Sequence, residues 1–478
     1  MRRSIPWPRG NAGAAAVTLV LCLGLILILD HARGIWLDEA ASYWLSRHDI
    51  GVGRIFRERW VSDVHPPLYS AYAWLLQPLF GDSLREMRLI NLGGLFYAAL
   101  VWRQAWRRGV DRDFLLLFAV LVASSPFFML YAAEFRSYFL QLALGACLIV
   151  QLRRAHERRG GWALLALTAL LLINLHYYGS LTGFILIGIE AAWLCKAGRR
   201  RDMVALLLIG LVAAIPLVGS MLTMLASIEP VAVNRISSLH ALMAIGVIAG
   251  IAALANFAAM ILLLRARSLP ADRSFVTMLS VALVALSAAY FLLNLATHNL
   301  LPRHMIAAVP ISAALVALLL EDHVKRPGMG LVLMCANAAL LALATTGYGL
   351  LNKRWETNVG RIEAAIAACP HSGLYALSTM SLLTSEHPLH RVPNIDRFFQ
   401  MTYELIARDR NLTVTVLPEG PRSPIGQACP ELLWIEHLYA RPGITDAALA
   451  RAAGFYGSIA VQRLQRDDSR ALLAIHRR

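Results

Sequence analysis

Long apolar segments dominate this sequence and most constrain what it can fold into. Up to about residue 350, runs of roughly sixteen to twenty-five apolar residues alternate with short arginine-rich segments. A membrane-spanning helix needs about twenty such residues, whereas a helix of a soluble protein carries apolar residues on one face only. Only 16% of the residues are charged, against about 25% in typical soluble domains. The pattern predicts a polytopic membrane protein and excludes a disordered chain or an ordinary cytosolic enzyme.

The lengths of the apolar runs predict about eleven transmembrane helices. The first run, Ala12–Leu29, follows Arg2, Arg3 and Arg9. It is too long for the apolar part of a signal peptide, and no small-residue cleavage site follows it, so we expect it to be retained. The other ten predicted spans cover approximately residues 86–106, 114–131, 137–152, 162–177, 179–195, 203–225, 241–264, 274–295, 302–320 and 328–350.

Arginine placement predicts how the chain is threaded. The formal net charge is +15. The arginines lie at the ends of apolar runs rather than on a solvated face with aromatic platforms, which disfavours nucleic-acid binding. With eleven spans, every basic cluster between spans falls on the side of the N-terminus. The positive-inside rule makes that side cytoplasmic. We therefore expect a multi-pass membrane protein with a cytoplasmic N-terminus.

One apolar run, Leu68–Phe80, is predicted to lie in the membrane interface rather than to span. Its thirteen residues would extend about 20 Å as a helix, whereas the hydrocarbon core is about 30 Å thick. If it did span, every later arginine cluster would move to the side opposite the N-terminus, against the positive-inside rule. The aromatic residues Tyr69, Tyr72 and Trp74 suit the headgroup layer.

Two segments are then predicted to face the outside: a first loop, residues 30–85, and a tail, residues 351–478. The membrane domain therefore covers residues 1–350. In the tail the long apolar runs give way to acids, prolines and short strand-like segments, which predicts a small α/β domain. The strand-like segments are Leu412–Leu417, Leu432–Ile435 and Ala471–Ile475.

Two of the six cysteines, Cys369 and Cys429, fall in this tail. An oxidising outer compartment permits a disulfide between them. The sequence does not fix their separation in space, which a disulfide requires to be short. Pairing and free thiols are therefore both open from the sequence.

Ionisable residues close to a membrane are costly and usually functional, and on the predicted outer side they gather in four places. The first is Asp38-Glu39, whose carboxylates suit a general base or a metal ligand. The second is Asp63 with His65, where Pro66 and its neighbouring proline constrain the backbone. Taken alone, a solvated acid pair or a helix start explains these two places at least as well.

The third place lies between the third and fourth predicted spans. Glu134 and Arg136 there are either a structural pair or a pair that binds a sugar hydroxyl and a phosphate, which a guanidinium matches with a forked set of donors. The fourth place is a scatter at the ends of later spans: His176, Tyr177, Arg303 and His304. A lone histidine at a span end is more often an interfacial residue than a ligand. Because all four places fall on one predicted face, a single outward-facing site is the economical interpretation.

In their order along the chain, these motifs resemble the GT-C superfamily of integral-membrane glycosyltransferases. The resemblance is to the branch that holds protein O-mannosyltransferases, the lipid A aminoarabinose transferase and many bacterial family-39-like proteins. The resemblance covers the whole order of the chain, including a C-terminal outer domain. It rests on Asp38-Glu39, His65-Pro66-Pro67-Leu68, Arg88, Glu134-x-Arg136-x-Tyr138 and His176-Tyr177-Tyr178.

The resemblance implies transfer of a sugar from a polyprenyl-phosphate donor to an acceptor on the outer face, with inversion at the anomeric carbon. By position, Asp38 corresponds to the general base, and Glu39 and Glu134 complete the implied catalytic carboxylates. The implied phosphate-binding residues are Arg88, Arg136 and Arg303. The remaining implied substrate-binding residues are Asp63, His65, Tyr138, His176, Tyr177 and His304.

The cofactor and the acceptor stay open. Some relatives bind a divalent metal near the first loop, and the candidate ligands here are Glu39, His65, Glu134 and His176, although no tight metal-binding spacing occurs. In the aminoarabinose transferase branch a glutamate-lysine pair precedes the proline of the first loop, whereas this chain has Val64-His65. In this respect the chain resembles the mannosyltransferase and family-39-like branch more, which argues against lipid A as the acceptor. A glycan, another lipid or a protein stays open as the acceptor. Membrane lipid is the other expected partner.

Two further functions are compatible with the spans. A transporter or flippase of lipid-linked sugars would carry ionisable residues near the middle of its spans, and Glu190 lies instead near a predicted cytoplasmic end. A polysaccharide ligase or polymerase would usually carry its large outer loop late in the chain. A soluble nucleotide-sugar enzyme is disfavoured because no glycine-rich phosphate loop occurs before residue 350.

Overall fold

The computed structural model describes residues 9–60, 63, 65–227, 239–240, 242–243, 245–246, 272–297, 301–324, 330–351, 358–378, 395–417, 429–436, 444–466 and 470–477. The chain divides into two compact units. The first, here called the helical unit, comprises Met1–Ala32, Leu45–Phe80 and Met87–Leu351. The second, the sheet unit, comprises Arg33–Trp44, Gly81–Glu86 and Asn352–Arg478. Two parts of the predicted first loop thus group with the tail.

All the regular secondary structure described up to residue 351 is helical. The first of them are α1 (Arg9–Ala32), α2 (Leu37–Ser46), α3 (Val52–Ile55), a π-helix (Phe56–Trp60), α4 (Leu68–Phe80), α5 (Leu84–Arg88), a 3-10 helix (Leu89–Asn91), α6 (Leu92–Arg107), α7 (Arg112–Ala123) and α8 (Pro126–Ala132). They are followed by α9 (Tyr138–His156), α10 (Trp162–Leu175), α11 (Tyr177–Lys196), α12 (Arg200–Ser227), α13 (Arg273–Thr297), a second 3-10 helix (Pro302–Ala308), α14 (Val309–Val324) and α15 (Gly330–Leu351).

Six helices in the described part of the chain are long and apolar enough to cross a membrane. Their apolar stretches are Ala12–Ala32, Tyr177–Lys196, Arg200–Thr223, Arg273–Leu295, Arg303–Glu321 and Met334–Leu351. The chain is therefore a multi-pass membrane protein, as the apolar runs predict. The number eleven stays a prediction, and the predicted span 241–264 lies almost wholly outside the described residues.

The predicted span 114–131 is two helices rather than one. α7 and α8 meet at a bend of 64°. Pro126 occupies the first turn of α8, and the Ser125 hydroxyl accepts a hydrogen bond from the backbone N–H of Phe128 at 3.1 Å. Because proline lacks a backbone N–H, α7 cannot continue through this position, and a capped new helix starts instead.

Leu68–Phe80 forms one helix, α4, with the predicted bounds. Its aromatic side chains make contacts within the protein, and their place among headgroups stays a prediction. Tyr69 is buried, the Tyr72 hydroxyl donates to the Ile90 carbonyl at 2.7 Å, and the Trp74 ring stacks on His48 at 4.4 Å. Packing against neighbouring segments gives the rings apolar contacts, and Tyr72 also gains a hydrogen-bond partner. The interfacial position of α4 stays a prediction.

The sheet unit confirms the predicted small C-terminal α/β domain. Its strands are β1 (Leu374–Leu377), β2 (Thr415–Leu417), β3 (Glu431–Glu436), β4 (Ile459–Arg466) and β5 (Arg470–Arg477), in the sheet order β2-β1-β3-β5-β4. β1 pairs in parallel with β2 and β3, and β5 pairs antiparallel with β3 and β4. The helices are α16 (Val359–Ala368), α17 (Ile395–Asp409) and α18 (Asp446–Ala452).

The interior of the sheet unit is both apolar and crosslinked. Leucine, isoleucine and phenylalanine side chains form its core, including Leu433, Leu473 and Phe455. Cys369 and Cys429 form a disulfide, with Cα atoms 5.7 Å apart. Of the two states left open by the sequence, the structure therefore contains the paired one.

Candidate active site

The site begins with a sharp turn after α8 that carries Glu134 and Arg136. Glu134 is fully buried. The Asn91 side-chain amide donates to the carbonyls of Ala132 at 2.9 Å and Glu134 at 2.8 Å. The backbone N–H of Arg136 also donates to the Glu134 carbonyl at 2.7 Å. Asn91 therefore holds the turn against the first 3-10 helix, and the two charged side chains start from a fixed backbone.

Asn91 was not among the predicted site residues. Its place in the chain, in the same short segment as Arg88, gave no sign of the contact, because the turn it holds is about forty residues away. The available signal was an amide side chain at the start of an apolar helix. Burying an amide there costs free energy unless it makes hydrogen bonds, so a hydrogen-bond partner was to be expected.

His176 lies where α10 ends and α11 begins. Its backbone is extended, with φ −166° and ψ 142°, so it interrupts what would otherwise be a continuous helix. The ring Nδ1 accepts a hydrogen bond from the backbone N–H of Tyr178 at 3.2 Å. Nδ1 is therefore unprotonated, and the neutral ring carries its proton on Nε2. Nε2 is buried and has no hydrogen-bond partner among the described residues.

His304 is oriented in the same way from another part of the chain. It lies in the second 3-10 helix, and its Nδ1 accepts from the backbone N–H of Leu301 at 3.2 Å. The neutral ring of His304 consequently also carries its proton on Nε2. Its ring stacks on Tyr178, with centroids 4.7 Å apart and planes at 10°.

Five aromatic rings meet at this end of the helical unit, and we call them the ring cluster: His65, Tyr138, His176, Tyr178 and His304. The centroid of His176 lies 4.7 Å from His65, 5.8 Å from Tyr138, 5.7 Å from Tyr178 and 6.2 Å from His304. The structure thus brings together four of the predicted residues and one, Tyr178, that the sequence placed only in the motif. They come from the first loop, the start of α9, the α10–α11 junction and the second 3-10 helix.

Charged groups surround the ring cluster. The Arg136 guanidinium carbon lies 5.5 Å from the centre of the Tyr138 ring. Arg136 and Arg303 are both close enough to His176 to act on it electrostatically. Asp63 Oδ1 lies 3.4 Å from His65 Nδ1, and Tyr177, the first residue of α11, is within electrostatic range of Asp63. Several donors and positive charges therefore lie at the cluster beside the Asp63 carboxylate, which suits an anionic ligand.

Arg88 contacts the end of α1. It is 1% exposed, and one terminal nitrogen donates to the Asp30 carbonyl at 2.7 Å. Asp30 belongs to the last turn of α1, where free carbonyls attract a cation. The observed contact of Arg88 is therefore with a helix end, and phosphate binding by Arg88 stays a prediction.

Asp38 and Glu39 belong to the sheet unit. Both lie in the first turn of α2, where the backbone N–H of Glu39 donates to the Trp36 carbonyl at 3.0 Å. Glu39 is buried, and Asp38 is half-buried. Carboxylates are favoured at a helix N-terminus, so the helix-start interpretation of this motif is confirmed locally. Their catalytic role stays a prediction.

A metal centre finds no ligand set in the described part of the chain. No group of three or more His, Cys, Asp or Glu side chains there has the arrangement to hold a metal ion. The four candidate ligands, Glu39, His65, Glu134 and His176, thus do not form such a group. Nδ1 of His176 is occupied by the hydrogen bond from the backbone, so this nitrogen does not serve as a metal ligand. In this tautomer Nε2 carries the proton and is a hydrogen-bond donor.

An apolar cavity lies beside the ring cluster in the helical unit. It has a volume of about 350 Å³ and a lining that is almost entirely apolar. Pro67 and Leu68 line it directly after the His65 motif, and Asn174 lines it two residues before His176. The other lining residues are Phe56, Trp60, Ala71, Leu170, Leu171, Pro216 and Ser220. The same loop and helix end that carry two histidines therefore also form an apolar wall.

Comparison with known proteins identifies the fold. No protein-family model matches the chain, and no curated protein matches it either. Two solved structures of ArnT from Cupriavidus metallidurans do match. The one bound to undecaprenyl phosphate has a TM-score of 0.58 and 13% identity, covering 97% of this chain and 98% of that chain. The one in the apo state has a TM-score of 0.54 at the same identity and coverage. The chain therefore has the GT-C fold of these structures, as the order of its sequence motifs predicts.

Proposed function

We propose that this protein is an inverting glycosyltransferase of a bacterial inner membrane. It moves a sugar from a polyprenyl-phosphate donor to an acceptor on the outer face. The observation that carries the proposal is the ring cluster with Arg136 and Arg303, assembled from four segments of a GT-C fold. A resemblance of fold alone would leave the chemistry open, because one fold hosts many activities.

The donors around the ring cluster suit the leaving group of this reaction. When the bond between the sugar's anomeric carbon and the phosphate oxygen breaks, that oxygen gains negative charge. Arg136 and Arg303 supply fixed positive charges, and His176 supplies a buried Nε2–H whose direction is set by its Nδ1 contact. Donors that are already oriented stabilise such charge without reorganising, which is often the largest single contribution to catalysis.

The apolar cavity suits the other end of the donor. A polyprenyl chain is insoluble in water and needs an apolar groove next to the site that holds its phosphate. The cavity meets both conditions, since its wall continues directly into the segments of His65 and His176. The likeness to an ArnT structure bound to undecaprenyl phosphate supports a donor of this class.

The acceptor is activated by a carboxylate in this proposal. Asp38 accepts the proton of the acceptor hydroxyl as that oxygen attacks the anomeric carbon, and the polyprenyl phosphate leaves from the opposite side of the sugar. One displacement of this kind inverts the anomeric centre. Glu39 and Glu134 are proposed to bind sugar hydroxyls or to tune the base, and a divalent metal is not needed for any of these steps.

The decisive experiment compares lipid-linked sugars and envelope glycans by mass spectrometry in cells with and without this protein. Loss of the protein is expected to raise the amount of one polyprenyl-phosphate sugar and to remove one modification from a glycan, lipid or protein. Re-expression of the wild-type chain should restore both. Unchanged profiles in both fractions would refute the proposed function.

The flippase alternative finds less support in the helical unit. Glu190, an ionisable residue within a span, is fully buried and lies 3.1 Å from His156 Nδ1. His156 is the last residue of α9, and its carbonyl accepts from Arg199 at 2.8 Å. This pair therefore belongs to the arginine-rich end of the bundle rather than to a relay in mid-membrane.

A further inference from the structure

A second cavity, which unlike the first is lined by charged residues, occupies the end of the helical unit opposite the ring cluster. It opens between the ends of α9 and α11 and the starts of α10 and α12, with a volume of about 590 Å³. Four arginines, one aspartate and a tryptophan dominate its lining: Arg158, Arg199, Arg200, Arg201, Asp202 and Trp162. The positive-inside rule places this end at the cytoplasmic face.

One of these arginines builds the wall of the cavity. Arg199 bonds to Asp202 Oδ2 at 2.7 and 2.8 Å through two of its nitrogens. Its terminal nitrogens also donate to the carbonyls of His156 and Ala155 at 2.8 and 2.7 Å. Arg199 therefore ties the start of α12 to the end of α9 and neutralises Asp202. Four of its five N–H donors are thus engaged within the protein.

The other three arginines keep their full charge. Arg158, Arg200 and Arg201 are exposed, and their side chains make no ion pair or hydrogen bond with any described residue. Three like charges around one cavity repel each other, which costs free energy unless an anion occupies the space. The starts of α10 and α12 add the positive ends of two helix dipoles to the same cavity.

The surroundings of the cavity indicate what kind of anion fits. α10 and α12 pack against each other, and beyond the cavity they present exposed leucines. Leu167 is 43% exposed, Leu207 48%, Leu208 54% and Leu211 64%. In a membrane these side chains contact acyl chains, and Trp162 lies at the level where tryptophans meet headgroups. A soluble anion would not use this apolar surface, whereas a phospholipid would use the cavity and the leucines together.

We propose that this cavity binds the phosphate headgroup of an anionic phospholipid of the cytoplasmic leaflet, with its acyl chains along α10 and α12. Basic pockets between transmembrane helices on this side of a membrane are suited to such headgroups. Arg158, Arg200 and Arg201 bind the phosphate oxygens, and Arg199 is a positioning residue that ties the end of α9 to the start of α12. The site is independent of the proposed transfer reaction.

The test uses the purified full-length protein in phosphatidylcholine nanodiscs. Phosphatidylglycerol is titrated into the discs, and native mass spectrometry counts the lipids retained on the protein. The wild-type chain is expected to retain phosphatidylglycerol in preference to phosphatidylcholine. The double variant R200Q/R201Q should bind it about 30-fold more weakly, at about fivefold per arginine. Arg158 lies in a different loop, and Arg158→Gln should lower the affinity for phosphatidylglycerol about fivefold. It replaces the double variant as the test if that variant fails to insert.

A matched control separates a site from general surface charge. Arg103 and Arg107 are two exposed arginines of α6 at the same predicted face, outside the cavity. R103Q/R107Q should bind phosphatidylglycerol as the wild type does. Equal losses in both double variants, or no preference of the wild type for phosphatidylglycerol, would overturn the proposal. Displacement of the lipid by low-millimolar inorganic phosphate would also overturn it, because it would identify a site for a soluble anion.

Discussion

Asn91 provides the sharpest test of how the candidate site is built. Its amide is 2% exposed and donates to two carbonyls of the turn that carries Glu134 and Arg136. The substitution Asn91→Asp keeps the shape but replaces the donor with a carboxyl oxygen facing those carbonyls. The substitution Asn91→Leu removes the polar group altogether. Neither variant touches a residue assigned to the chemistry.

The magnitude follows from the two hydrogen bonds. Loss of the bond to the Glu134 carbonyl, which keeps the Arg136 N–H as a donor, costs about 1 kcal/mol, and leaving the buried Ala132 carbonyl without a donor costs about 1–3 kcal/mol. We therefore expect Asn91→Leu to destabilise the helical unit by about 2–4 kcal/mol. A turn released by this amount no longer holds Arg136 in place, and misplacement of about 1 Å lowers catalytic rates about 100-fold. Asn91→Asp should lower stability and rate more than Asn91→Leu, because its carboxyl oxygens also repel the two carbonyl oxygens that the amide contacts.

The assay measures transfer from a polyprenyl-phosphate sugar in proteoliposomes, together with thermal unfolding of the same preparations. The matched control is Tyr97→Phe, which removes a partly buried hydrogen bond of 2.8 Å between α6 and Thr168 of α10 and leaves the turn untouched. Tyr97→Phe should lower stability by about 1 kcal/mol and leave kcat unchanged. A folded Asn91→Leu protein with the wild-type kcat would refute the reasoning, because the turn would then not depend on the amide.

Three further outcomes are expected. Asp38→Asn should abolish transfer while membrane insertion, measured by fractionation, stays intact; a fully active variant would remove Asp38 from the mechanism. Replacing Cys369 and Cys429 with serine removes the disulfide, which closes a loop of 60 residues. The loss should destabilise the sheet unit by about 4 kcal/mol. Equal protease resistance of the wild type and the variant would contradict this. Burial acts to raise the pKa of Asp49, but two hydrogen bonds of 2.8 Å and the charge of Arg59 outweigh it and hold the pKa below its ordinary value. The pair should therefore stabilise the helical unit above the ordinary pKa of an aspartate, and this contribution should be lost as the pH falls through the lowered pKa. Thermal unfolding of Asp49→Asn between pH 3 and pH 7 should lack that part of the acid dependence, and identical profiles would contradict the assignment.

Much of the ring cluster followed from the sequence because topology alone assigns residues to a membrane face. Counting spans put His65, Tyr138, His176 and His304 on the outer side, and the structure brings their rings together. Arg88 satisfied the same rule, yet its observed contact is with the end of α1. A face is shared by many residues, so topology narrows the candidates without deciding which of them touch.

The sequence by itself determined that this chain lies in a membrane, and it predicted which way the chain is threaded and which polar groups gather at one face. The bilayer imposes these features on every segment separately, through the length of its apolar runs and the position of its arginines. The tertiary structure alone decided the rest: the amide of Asn91 on a distant turn, the tautomers of His176 and His304, and the division of the first loop between two units. Those depend on hydrogen bonds and packing between segments far apart in the chain, whose directions no local pattern records.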